Sequence, residues 1–318
     1  MKCIAIDIGG TTTTYGIVDD SGRIISKDSL STRAPESLKD YLDLLHDGIR
    51  KMILQTGTES EIAGIGIGAP CTNYVTGEID GATELPWPSP IPLKKIFEKE
   101  FGVPTVVAND AKAAAIGEML FGNAKGLSNF IMLTLGTGVG SGIVCDGHLL
   151  SGSRGFAGEL GHVTVSDRKL RKCNCGRYDC LQNYCSASGI LETARLVLED
   201  TDADTPLRAI PENEITPKLI YDLAKEGDTE CLKIYEKTGE AIGKACANYA
   251  AFTDPDAFVF FGGVANAFDI MEPSIRKAME DNILFLYGNR IKLLKSSLNE
   301  ADAPLLGASA LAFESLSR

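Results

Sequence analysis

Three apolar segments, each predicted to be a buried strand, run directly into a glycine-rich turn. The turns are DIGGTTT at residues 7–13, LGTGVGSG at 135–142 and FFGGVAN at 260–266. Backbone N–H groups in such a turn can approach an anion without an intervening side chain, so the pattern favours phosphate binding. One turn of this kind is as often purely structural, but three in one chain are harder to explain that way. The P-loop sequence and a GxGxxG sequence that opens a helix are both lacking, which disfavours those phosphate-binding folds.

Strand and helix patterns alternate along the chain. Short apolar runs bounded by turn residues predict strands in CIAIDIG, TYGIVDD, RIISKDSL, IAGIGIGAP, TVVAND, both halves of NFIMLTLGTGVGSGIVCDG, and AFVFFGG. Helical spacing is seen over residues 37–54, in AKAAAIGEML, over most of 182–253 and in PLLGASALAF. The acidic segment DTDADTPLRAIPENEITP is predicted to be a surface loop between helices. Strands that alternate with helices predict an α/β fold.

Composition and charge limit the classes of function. The chain has 318 residues, enough for two domains, and a net charge of −12. An acidic surface disfavours non-specific binding to nucleic acid or anionic membranes, although a locally positive pocket can still hold an anion. The first apolar run is broken by Asp7, and no stretch reaches the roughly 18 apolar residues of a transmembrane helix. We therefore expect a cytoplasmic protein that binds neither nucleic acid nor membrane.

Two acidic residues lie where predicted strands end. Asp7 ends the first strand, where a buried carboxylate needs a partner, and its position suits a Mg²⁺–phosphate complex. The structural alternative is that Asp7 caps the adjacent turn. Asp110, with Asn109 before it, lies where a strand becomes a helix, a usual place for functional groups in α/β folds. Asp110 is either the cap of that helix or a general base that takes a proton from a substrate hydroxyl.

Four of the nine cysteines fall within CNCGRYDCLQNYC at residues 173–185. In a reducing compartment such a cluster favours a metal over disulfides, and the C-x-x-C spacing of redox sites does not occur. Cys173, Cys175 and Cys180 form a C-x-C-x4-C sequence. His162 would complete a Cys3His set, which is the composition of a structural zinc site. Cys185 is left over and is interpreted as a small buried thiol.

These motifs occur in the order found in the ROK group of sugar kinases (repressors, open reading frames and kinases), which the chain resembles over nearly its full length. The shared segments are DIGGT, GIGIGAP, VANDAKAAAIGE, LGTGVGSG, ELGH, CNCGRYDCLQ and FFGG. Among them, the combination of ELGH with CNCGRYDC is highly specific. The resemblance implies a two-lobed α/β fold related to actin and hexokinase, a ribonuclease H-like ATPase architecture, with ATP and sugar in the cleft between the lobes.

The resemblance also implies roles for individual residues. Asp110 is expected to be the catalytic base that activates the 6-hydroxyl of a hexose, first of all glucose. The residues expected to bind the sugar are Asn109, Asp110, Glu159, His162, Gln182, Glu84 and Gly68. Those expected to face the nucleotide, its phosphates and Mg²⁺ are Asp7, Gly9, Gly10, Thr11, Thr12, Thr137, Gly138, Gly262 and Gly263. The expected cofactors are ATP, Mg²⁺ and a structural Zn²⁺ held by His162, Cys173, Cys175 and Cys180.

Several positions depart from the family pattern. In CxCGxxGCxE, Asp179 stands at the last internal glycine and Gln182 at the glutamate. Glutamine keeps an acceptor oxygen, loses the charge and adds a donor, so an altered sugar preference is expected. Glu84 stands at a usual asparagine of the proline-rich loop, so the two exchanges suggest a compensated rearrangement around the sugar. Thr12 occupies a position often held by lysine or serine.

Other readings of the same motifs remain open. The sugar could be N-acetylmannosamine, N-acetylglucosamine, fructose or allose instead of glucose. Members that repress sugar genes carry a helix-turn-helix domain ahead of DIGGT. Because that motif begins at residue 7 here and the chain is acidic, a regulator is disfavoured. A sugar-binding relative without catalysis is disfavoured by Asp110 and by the three glycine turns.

The resemblance finally implies how the chain is organised. We expect a small N-terminal lobe over residues 1–118, with a closing helix at about 304–318 packed back onto it. Residues 119–303 are expected to form a large lobe that contains the zinc site. The partners expected are the hexose, ATP and further copies of the chain in a dimer or tetramer.

Overall fold

The structure is a computed structural model that describes residues 1–82 and 85–317. Glu84, one of the predicted sugar-binding residues, lies outside these described residues. Contacts between Cα atoms divide the chain into two compact units. Unit 1 comprises residues 1–127, 142–158 and 297–318, and unit 2 comprises residues 128–141 and 159–296. The described strands form two five-stranded sheets and one short ladder.

The first sheet combines an antiparallel hairpin with parallel strands. Its strands are β1 (Lys2–Ile8), β2 (Thr12–Asp19), β3 (Ile24–Ser31), β4 (Ile62–Gly68) and β7 (Thr105–Ala108), in the order β3-β2-β1-β4-β7. The short ladder pairs β5 (Thr72–Asn73) with β6 (Glu78–Ile79). β1 is antiparallel to β2, and β1, β4 and β7 are parallel to one another. The carboxyl ends of β1, β4 and β7 therefore meet at one edge of the sheet.

The helices of unit 1 follow the local capping signals. They are α1 (Leu38–Thr56), α2 (Leu93–Phe101), α3 (Asp110–Phe121) and α9 (Ala303–Leu316). α1 begins after Ser37, whose side chain accepts a hydrogen bond from the Asp40 backbone N–H, and ends at Gly57 in the left-handed conformation. The helices predicted over residues 37–54, in AKAAAIGEML and in PLLGASALAF are confirmed, whereas α2 was not predicted.

Alternation along β1 sends large and small side chains to opposite faces of the first sheet. Ile4, Ile6 and Ile8 are buried in the core that includes residues of α1 and α2. Cys3 and Ala5 point to the other face, where they pack with residues of α9. Since their side chains are small, α9 can lie close to the sheet.

The second sheet has the same strand order as the first. Its strands are β8 (Phe130–Leu135), β9 (Val139–Cys145), β10 (His148–Leu149), β11 (Ala257–Phe261) and β12 (Lys292–Lys295), in the order β10-β9-β8-β11-β12. β8, β11 and β12 are parallel, and β9 is antiparallel to β10. The carboxyl ends of β8 and β11 thus lie side by side, and each leads into one of the glycine-rich turns.

Unit 2 is rich in helices. They are α4 (Gln182–Cys185), α5 (Ala187–Glu199), α6 (Pro217–Lys225), α7 (Thr229–Thr253) and α8 (Phe268–Glu280). Short 3-10 helices span Leu160–His162, Pro206–Ala209, Glu212–Glu214, Gly263–Ala267 and Gly288–Arg290. Among the described residues, no helix is both long enough and apolar enough to cross a bilayer.

The segment DTDADTPLRAIPENEITP is more ordered than predicted. Two of the 3-10 helices lie within it, and the side chains of Thr205 and Leu207 are buried. Thr205 also caps the first of these helices by accepting a hydrogen bond from the Leu207 backbone N–H. The segment is mostly exposed and connects α5 to α6, as expected for a surface loop between helices. Its pattern of acidic residues and prolines did not indicate the two 3-10 helices or the buried Leu207.

The bounds of unit 1 differ from the boundary predicted after residue 118. That position lies inside α3, and unit 1 extends to Leu127 and also takes in residues 142–158. The closing helix α9 belongs to unit 1. The assignment of two lobes with a boundary at residue 118 stays a prediction.

The close approach of α9 to the first sheet makes a test of the fold. A Cβ atom added at Gly66 of β4 would lie 1.7 Å from the Ala308 carbonyl oxygen, which is backbone and cannot rotate away. We expect Gly66→Ala to lower the free energy of unfolding by about 3 kcal/mol or more, because the helix must move off the sheet. Chemical denaturation followed by circular dichroism measures the change.

Gly64→Ala is the matched control on the same strand. A Cβ atom there meets the Leu316 side chain and the Pro104 carbonyl oxygen at 3.3 Å, so small adjustments relieve the contact. Equal losses of stability in the two variants would contradict the packing described for α9.

Candidate active site

Unit 1 brings Asp7 and Asp110 to the same edge of the first sheet. Asp7 is the penultimate residue of β1 and pairs with Gly68 of β4, while Asp110 begins α3 directly after β7. Burial and the nearby charge of Asp110 raise the pKa of the Asp7 carboxyl to about 6. The two carboxylates are therefore close enough to influence each other, as neighbouring groups of a reaction centre do.

Asn109, and not Asp110, is the N-cap of α3. The Asn109 side-chain oxygen accepts a hydrogen bond from the Lys112 backbone N–H at 2.8 Å. Asp110 lies in the first turn, where the helix dipole favours a negative charge, and its Oδ1 atom accepts from the Ala111 N–H. The capping role considered for Asp110 is thus filled by its neighbour. Asp110 is solvent-exposed and available for chemistry.

Backbone hydrogen bonds stabilise the turn after β1. Gly9 N–H donates to the Thr12 carbonyl oxygen at 3.0 Å, while the Thr11 carbonyl oxygen accepts from the Thr32 N–H. Thr11 and Thr12 are exposed. The Arg33 guanidinium donates to the Gly10 carbonyl oxygen at 2.8 Å and so places a positive charge beside the turn. A turn of this kind suits an anion.

Unit 2 presents two glycine turns on adjacent strands. Thr137 and Gly138 follow β8, and Gly262 and Gly263 follow β11, whose Phe261 pairs with Thr134. Gly262 has φ +98°, and a Cβ atom there would lie 2.6 Å from the Leu135 carbonyl oxygen. Only glycine therefore fits at this point of close approach.

A cavity of about 340 Å³ lies beside Gly263. It is formed by the start of α6, one face of α7 and the 3-10 helix after β11. Its lining residues are Pro217, Lys218, Tyr221, Asp222, Tyr235, Gly263, Asn266 and Ala267. Aromatic and aliphatic walls with a few polar groups are typical of a small-molecule site.

Glu159 and His162 flank a single 3-10 turn. The turn spans Leu160–His162, and Leu160 N–H donates to the Ser141 Oγ atom at 3.2 Å. A Cβ atom on Gly161 would lie 2.1 Å from the Val139 carbonyl oxygen, so the turn packs directly on β9. Glu159 is exposed and His162 is half-buried.

His162, Cys173, Cys175 and Cys180 converge on one point. One ligand atom from each lies within 4.8 Å of all the others. Cys175 Sγ is 3.7 Å from Cys180 Sγ, and Cys173 Sγ is 3.8 Å from His162 Nδ1. Zinc–sulfur bonds of about 2.3 Å in a tetrahedron place the sulfur atoms ~3.8 Å apart, so the four groups fit a zinc ion.

Cys185 lies apart from this cluster. It is fully buried, and its thiol donates to the Leu181 carbonyl oxygen at 3.3 Å. Burial raises its pKa far above the ordinary thiol value. Its interpretation as a structural thiol agrees with these contacts.

Asp179 stands where the CxCGxxGCxE pattern has its last internal glycine, and its conformation and contacts account for the replacement. Its φ is +53°, in the left-handed region that favours glycine and tolerates aspartate. The carboxylate is buried and accepts hydrogen bonds from the backbone N–H groups of Leu170 and Arg171 and from the Tyr184 hydroxyl. These bonds offset the strain of the backbone and lower the pKa of Asp179.

The amide of Gln182 is tied to the cysteine cluster. Its Nε2 atom donates to Cys173 Sγ at 3.2 Å and to the Asn174 Oδ1 atom at 2.9 Å. Its Oε1 atom lies 3.6 Å from the position that a Cβ atom on Gly138 would take. The side chain thus faces one of the glycine turns with an acceptor oxygen.

Two residues near the site were not predicted. Arg33 donates to the turn after β1, and Lys112 is buried in α3, where its Nζ atom donates to the Gly155 carbonyl oxygen at 2.5 Å. Arg33 is far from the turn in sequence. Lys112 lies in an alanine-rich helix that is buried on all sides, so no polar face signalled its role.

Comparison with known proteins places the chain in a family. The sequence model of the ROK family matches residues 3–315, so the chain belongs to the ROK family. The glucokinase of Thermotoga maritima is 31% identical over 314 residues, which cover 98% of this chain and 97% of that protein. The xylose repressor of Caldicellulosiruptor bescii is 30% identical over 311 residues, which cover 97% of this chain and 77% of the repressor.

The fold also matches solved structures of this family. A ROK family glucokinase from Streptomyces griseus, crystallised in complex with glucose and AMPPNP, has a TM-score of 0.74 to this chain and is 30% identical to it. The match covers 99% of this chain and 100% of that one. The α/β fold of the hexokinase-like ROK proteins is therefore confirmed.

The pKa of Asp7 predicts a pH dependence of stability. The folded chain holds the Asp7 proton up to about pH 6, whereas an unfolded chain releases it near pH 4. Without ligands, this carboxyl should therefore lower the free energy of unfolding as the pH rises from about 4 to 6, by about 3 kcal/mol at most. Above pH 6 the loss should be complete.

Asp7→Asn should remove this decline. Urea denaturation at pH 4.5 and at pH 7, without Mg²⁺ or nucleotide, should show the variant gaining stability over the wild type only at the higher pH. Asp43→Asn, on the exposed face of α1, is the control and should leave the pH profile unchanged. An identical profile for Asp7→Asn would contradict the assigned pKa.

Proposed function

We propose that this protein is an ATP-dependent sugar kinase of the glucokinase type, which transfers the γ-phosphoryl group of ATP to the 6-hydroxyl of a hexose. The observation that carries the proposal is the approach of Asp7 and Asp110 beside the glycine turn after β1. One carboxylate is exposed and can take a proton, and the other lies at the anion-binding turn. The similarity to glucokinases supports the same conclusion.

Asp110 acts as the general base. It accepts the proton of the sugar 6-hydroxyl while that oxygen attacks the γ-phosphorus, and ADP leaves with the electrons of the broken P–O bond. Asp110 is exposed in the first turn of α3, where a substrate hydroxyl can reach it. In phosphoryl transfer a protein mainly positions the reacting groups and neutralises charge, so the other site residues need only bind and orient the substrates.

The glycine turns hold the phosphates. Gly9, Gly10, Thr11 and Thr12 contribute exposed backbone and hydroxyl groups at the turn after β1, and Thr137 and Gly138 contribute those at the turn after β8. Asp7 would hold a bound Mg²⁺ at this turn, through water. When bound, Mg²⁺ neutralises charge on the β- and γ-phosphates.

The cavity beside Gly263 takes the adenosine part of the nucleotide. Gly263 lines the cavity and a Cβ atom there would meet nothing within 4 Å, Gly262 precedes it in the turn, and Tyr221 provides an aromatic wall. A volume of about 340 Å³ is sufficient for a purine base. Lys218, at the rim, lies where it can approach a ribose or phosphate oxygen.

Asn109, Glu159, His162, Gln182 and Gly68 bind the sugar, with Glu84 as a further candidate. Since Asn109 Oδ1 already accepts the cap hydrogen bond of α3, its amide N–H groups remain to donate to a hydroxyl. Gln182 instead offers Oε1, because its Nε2 atom is engaged with Cys173 and Asn174. A neutral acceptor at this position is the chemical reason to expect a sugar preference different from that of relatives with glutamate.

A structural zinc ion is held by His162, Cys173, Cys175 and Cys180. In this arrangement His162 Nδ1 faces the cysteine sulfurs, so Nε2–H is left to donate to the sugar. Binding of the ion fixes the tautomer and orientation of the imidazole. The cysteines therefore act on the sugar through the turn that carries Glu159 and His162.

Asp110→Asn tests the base. We expect a loss of turnover of about 10²- to 10⁴-fold with sugar affinity largely retained, because asparagine keeps the shape but cannot take the proton. A coupled assay of ADP release measures turnover, and calorimetry measures sugar binding. Asp43→Asn should retain full turnover, and near-wild-type turnover of Asp110→Asn would remove the base assignment.

Elemental analysis tests the zinc site. We expect about one equivalent of zinc per chain in the wild type and in Cys185→Ala, whose thiol lies outside the cluster, and none in Cys175→Ser. Loss of zinc should also lower sugar affinity, since the His162 turn is no longer anchored. A metal-free protein that is fully active and stable would contradict this site.

Gln182→Glu tests the sugar preference. A carboxylate accepts a stronger hydrogen bond from a hydroxyl than a neutral amide does, so kcat/KM for glucose should rise relative to the amino sugars by roughly fivefold. A panel of glucose, fructose, allose, N-acetylglucosamine and N-acetylmannosamine measures the change. Gln55→Glu, on the exposed face of α1, is the control. Unchanged relative rates would show that Gln182 does not select the sugar.

The xylose repressor provides a second candidate, a sugar-responsive regulator. The match covers 77% of the repressor and 97% of the Thermotoga glucokinase. The exposed Asp110 carboxylate beside Asp7 favours the kinase, because sugar binding alone needs no general base. ADP release on any sugar of the panel supports the kinase. No turnover, together with a sugar-dependent shift of a DNA fragment in a gel, would support the regulator.

A further inference from the structure

Helix α7 carries two buried tyrosines whose hydroxyls reach other segments of unit 2. Tyr249 and Tyr235 are 2% and 1% exposed. Each donates a hydrogen bond to a backbone carbonyl oxygen outside the helix, at 2.8 Å and 2.7 Å. Burial raises the pKa of both phenols well above the ordinary value, so both hydroxyls keep their protons and donate.

Tyr249 holds the turn that carries Glu159 and His162. Its hydroxyl donates to the Leu160 carbonyl oxygen, and Leu160 N–H donates to the Ser141 Oγ atom. Both backbone polar groups of Leu160 are therefore fixed by side chains from other elements. The turn consists of only three residues, so restraining its first peptide groups orients the two functional side chains beside it.

Tyr235 holds the other ligand-binding region of unit 2. Its hydroxyl donates to the carbonyl oxygen of Pro217, the first residue of α6. Its ring contacts the Tyr221 ring edge-on, with centroids 6.4 Å apart and an interplanar angle of 87°. All three residues line the cavity of about 340 Å³. Tyr235 thus sets the position of the cavity wall.

The helix keeps these two supports at a fixed spacing. α7 has 25 residues and is capped at its start by Asp228, and many of its residues along its length are buried. The two tyrosines are about four helical turns apart, roughly 21 Å, and lie on nearly the same face. Both regions are thus in contact with one buried helix, each through a different tyrosine.

We propose that Tyr249 and Tyr235 are positioning residues, Tyr249 for the sugar-binding turn and Tyr235 for the nucleotide cavity, with α7 as their common support. The inference rests on the proposed kinase function. The Tyr249 hydroxyl then affects the affinity for the sugar, and the Tyr235 hydroxyl affects the affinity for ATP. Neither hydroxyl needs to touch a ligand. A purely structural role would instead change stability alone or both affinities together.

Two substitutions to phenylalanine test this assignment, because each removes one hydroxyl and leaves the ring. Tyr249→Phe should raise the KM for the sugar about three- to tenfold and leave the KM for ATP unchanged. Tyr235→Phe should raise the KM for ATP by a similar factor and leave the KM for the sugar unchanged. Calorimetric titration with the sugar alone and with AMPPNP alone checks that the changes are in binding.

Tyr15→Phe is the matched control. Tyr15 is also buried, and its hydroxyl donates to the Asp28 carboxylate in unit 1, outside the residues assigned to binding. This variant should keep both KM values. Ser141→Ala is a second test of the same turn, because it removes the other side-chain hydrogen bond to Leu160. It should also raise the sugar KM, and it takes the place of Tyr249→Phe if that variant does not fold.

The outcomes separate this inference from the proposed function. An active wild type whose Tyr249→Phe and Tyr235→Phe variants change both KM values equally, or neither, overturns the inference and leaves the kinase in place. A wild type without turnover on any sugar of the panel overturns the kinase and the inference with it. A rise of the sugar KM alone in Tyr249→Phe, together with a rise of the ATP KM alone in Tyr235→Phe, supports the inference and the kinase function.

Discussion

Parallel pairing of β1, β4 and β7 is the constraint on which the rest of unit 1 depends. It brings the carboxyl ends of three strands to one edge, where Asp7 ends β1 and Asp110 opens α3. The edge is electrostatically costly, since burial and the neighbouring charge oppose ionisation of Asp7. A bound cation such as the proposed Mg²⁺ would relieve that cost, because its positive charge offsets the repulsion between the two carboxylates.

The second sheet repeats the strand order of the first, but the candidate site residues of unit 2 are arranged differently. Its glycine turns follow parallel strands β8 and β11, whereas Glu159 and His162 lie on an irregular segment with little regular secondary structure. That segment is held by contacts from several elements: the Ser141 and Tyr249 hydroxyls, the backbone of β9 and the cysteine cluster. Irregular backbone can present side chains accurately only when such contacts restrain it.

The sequence predicted much of this, with failures that have physical causes. The strands before each glycine turn, α1 and α3 all have strong periodicity or clear caps, and all were found. α2 was not predicted, and the segment containing Leu207 was predicted as loop, since each has a short pattern dominated by charged residues or prolines. Within the site, Cys173, Cys175 and Cys180 are near one another in sequence and converge as expected with His162. Arg33, Lys112, Ser141 and Tyr249 act through contacts distant in sequence, which no local pattern reveals.

The sequence by itself determined the α/β class, the three glycine turns and the set of four side chains that could hold a metal, because these depend on residue type and short spacing. Only the structure decided which of the neighbours Asn109 and Asp110 caps α3 and which stays exposed to solvent. It also decided that Asp179 can replace a glycine, since its carboxylate finds three donors in space that offset a left-handed backbone. The physical reason is that each outcome depends on which donors the folded backbone brings within hydrogen-bonding distance: the Lys112 N–H for Asn109, and groups of Leu170, Arg171 and Tyr184 for Asp179. A linear pattern of residue types does not contain those positions.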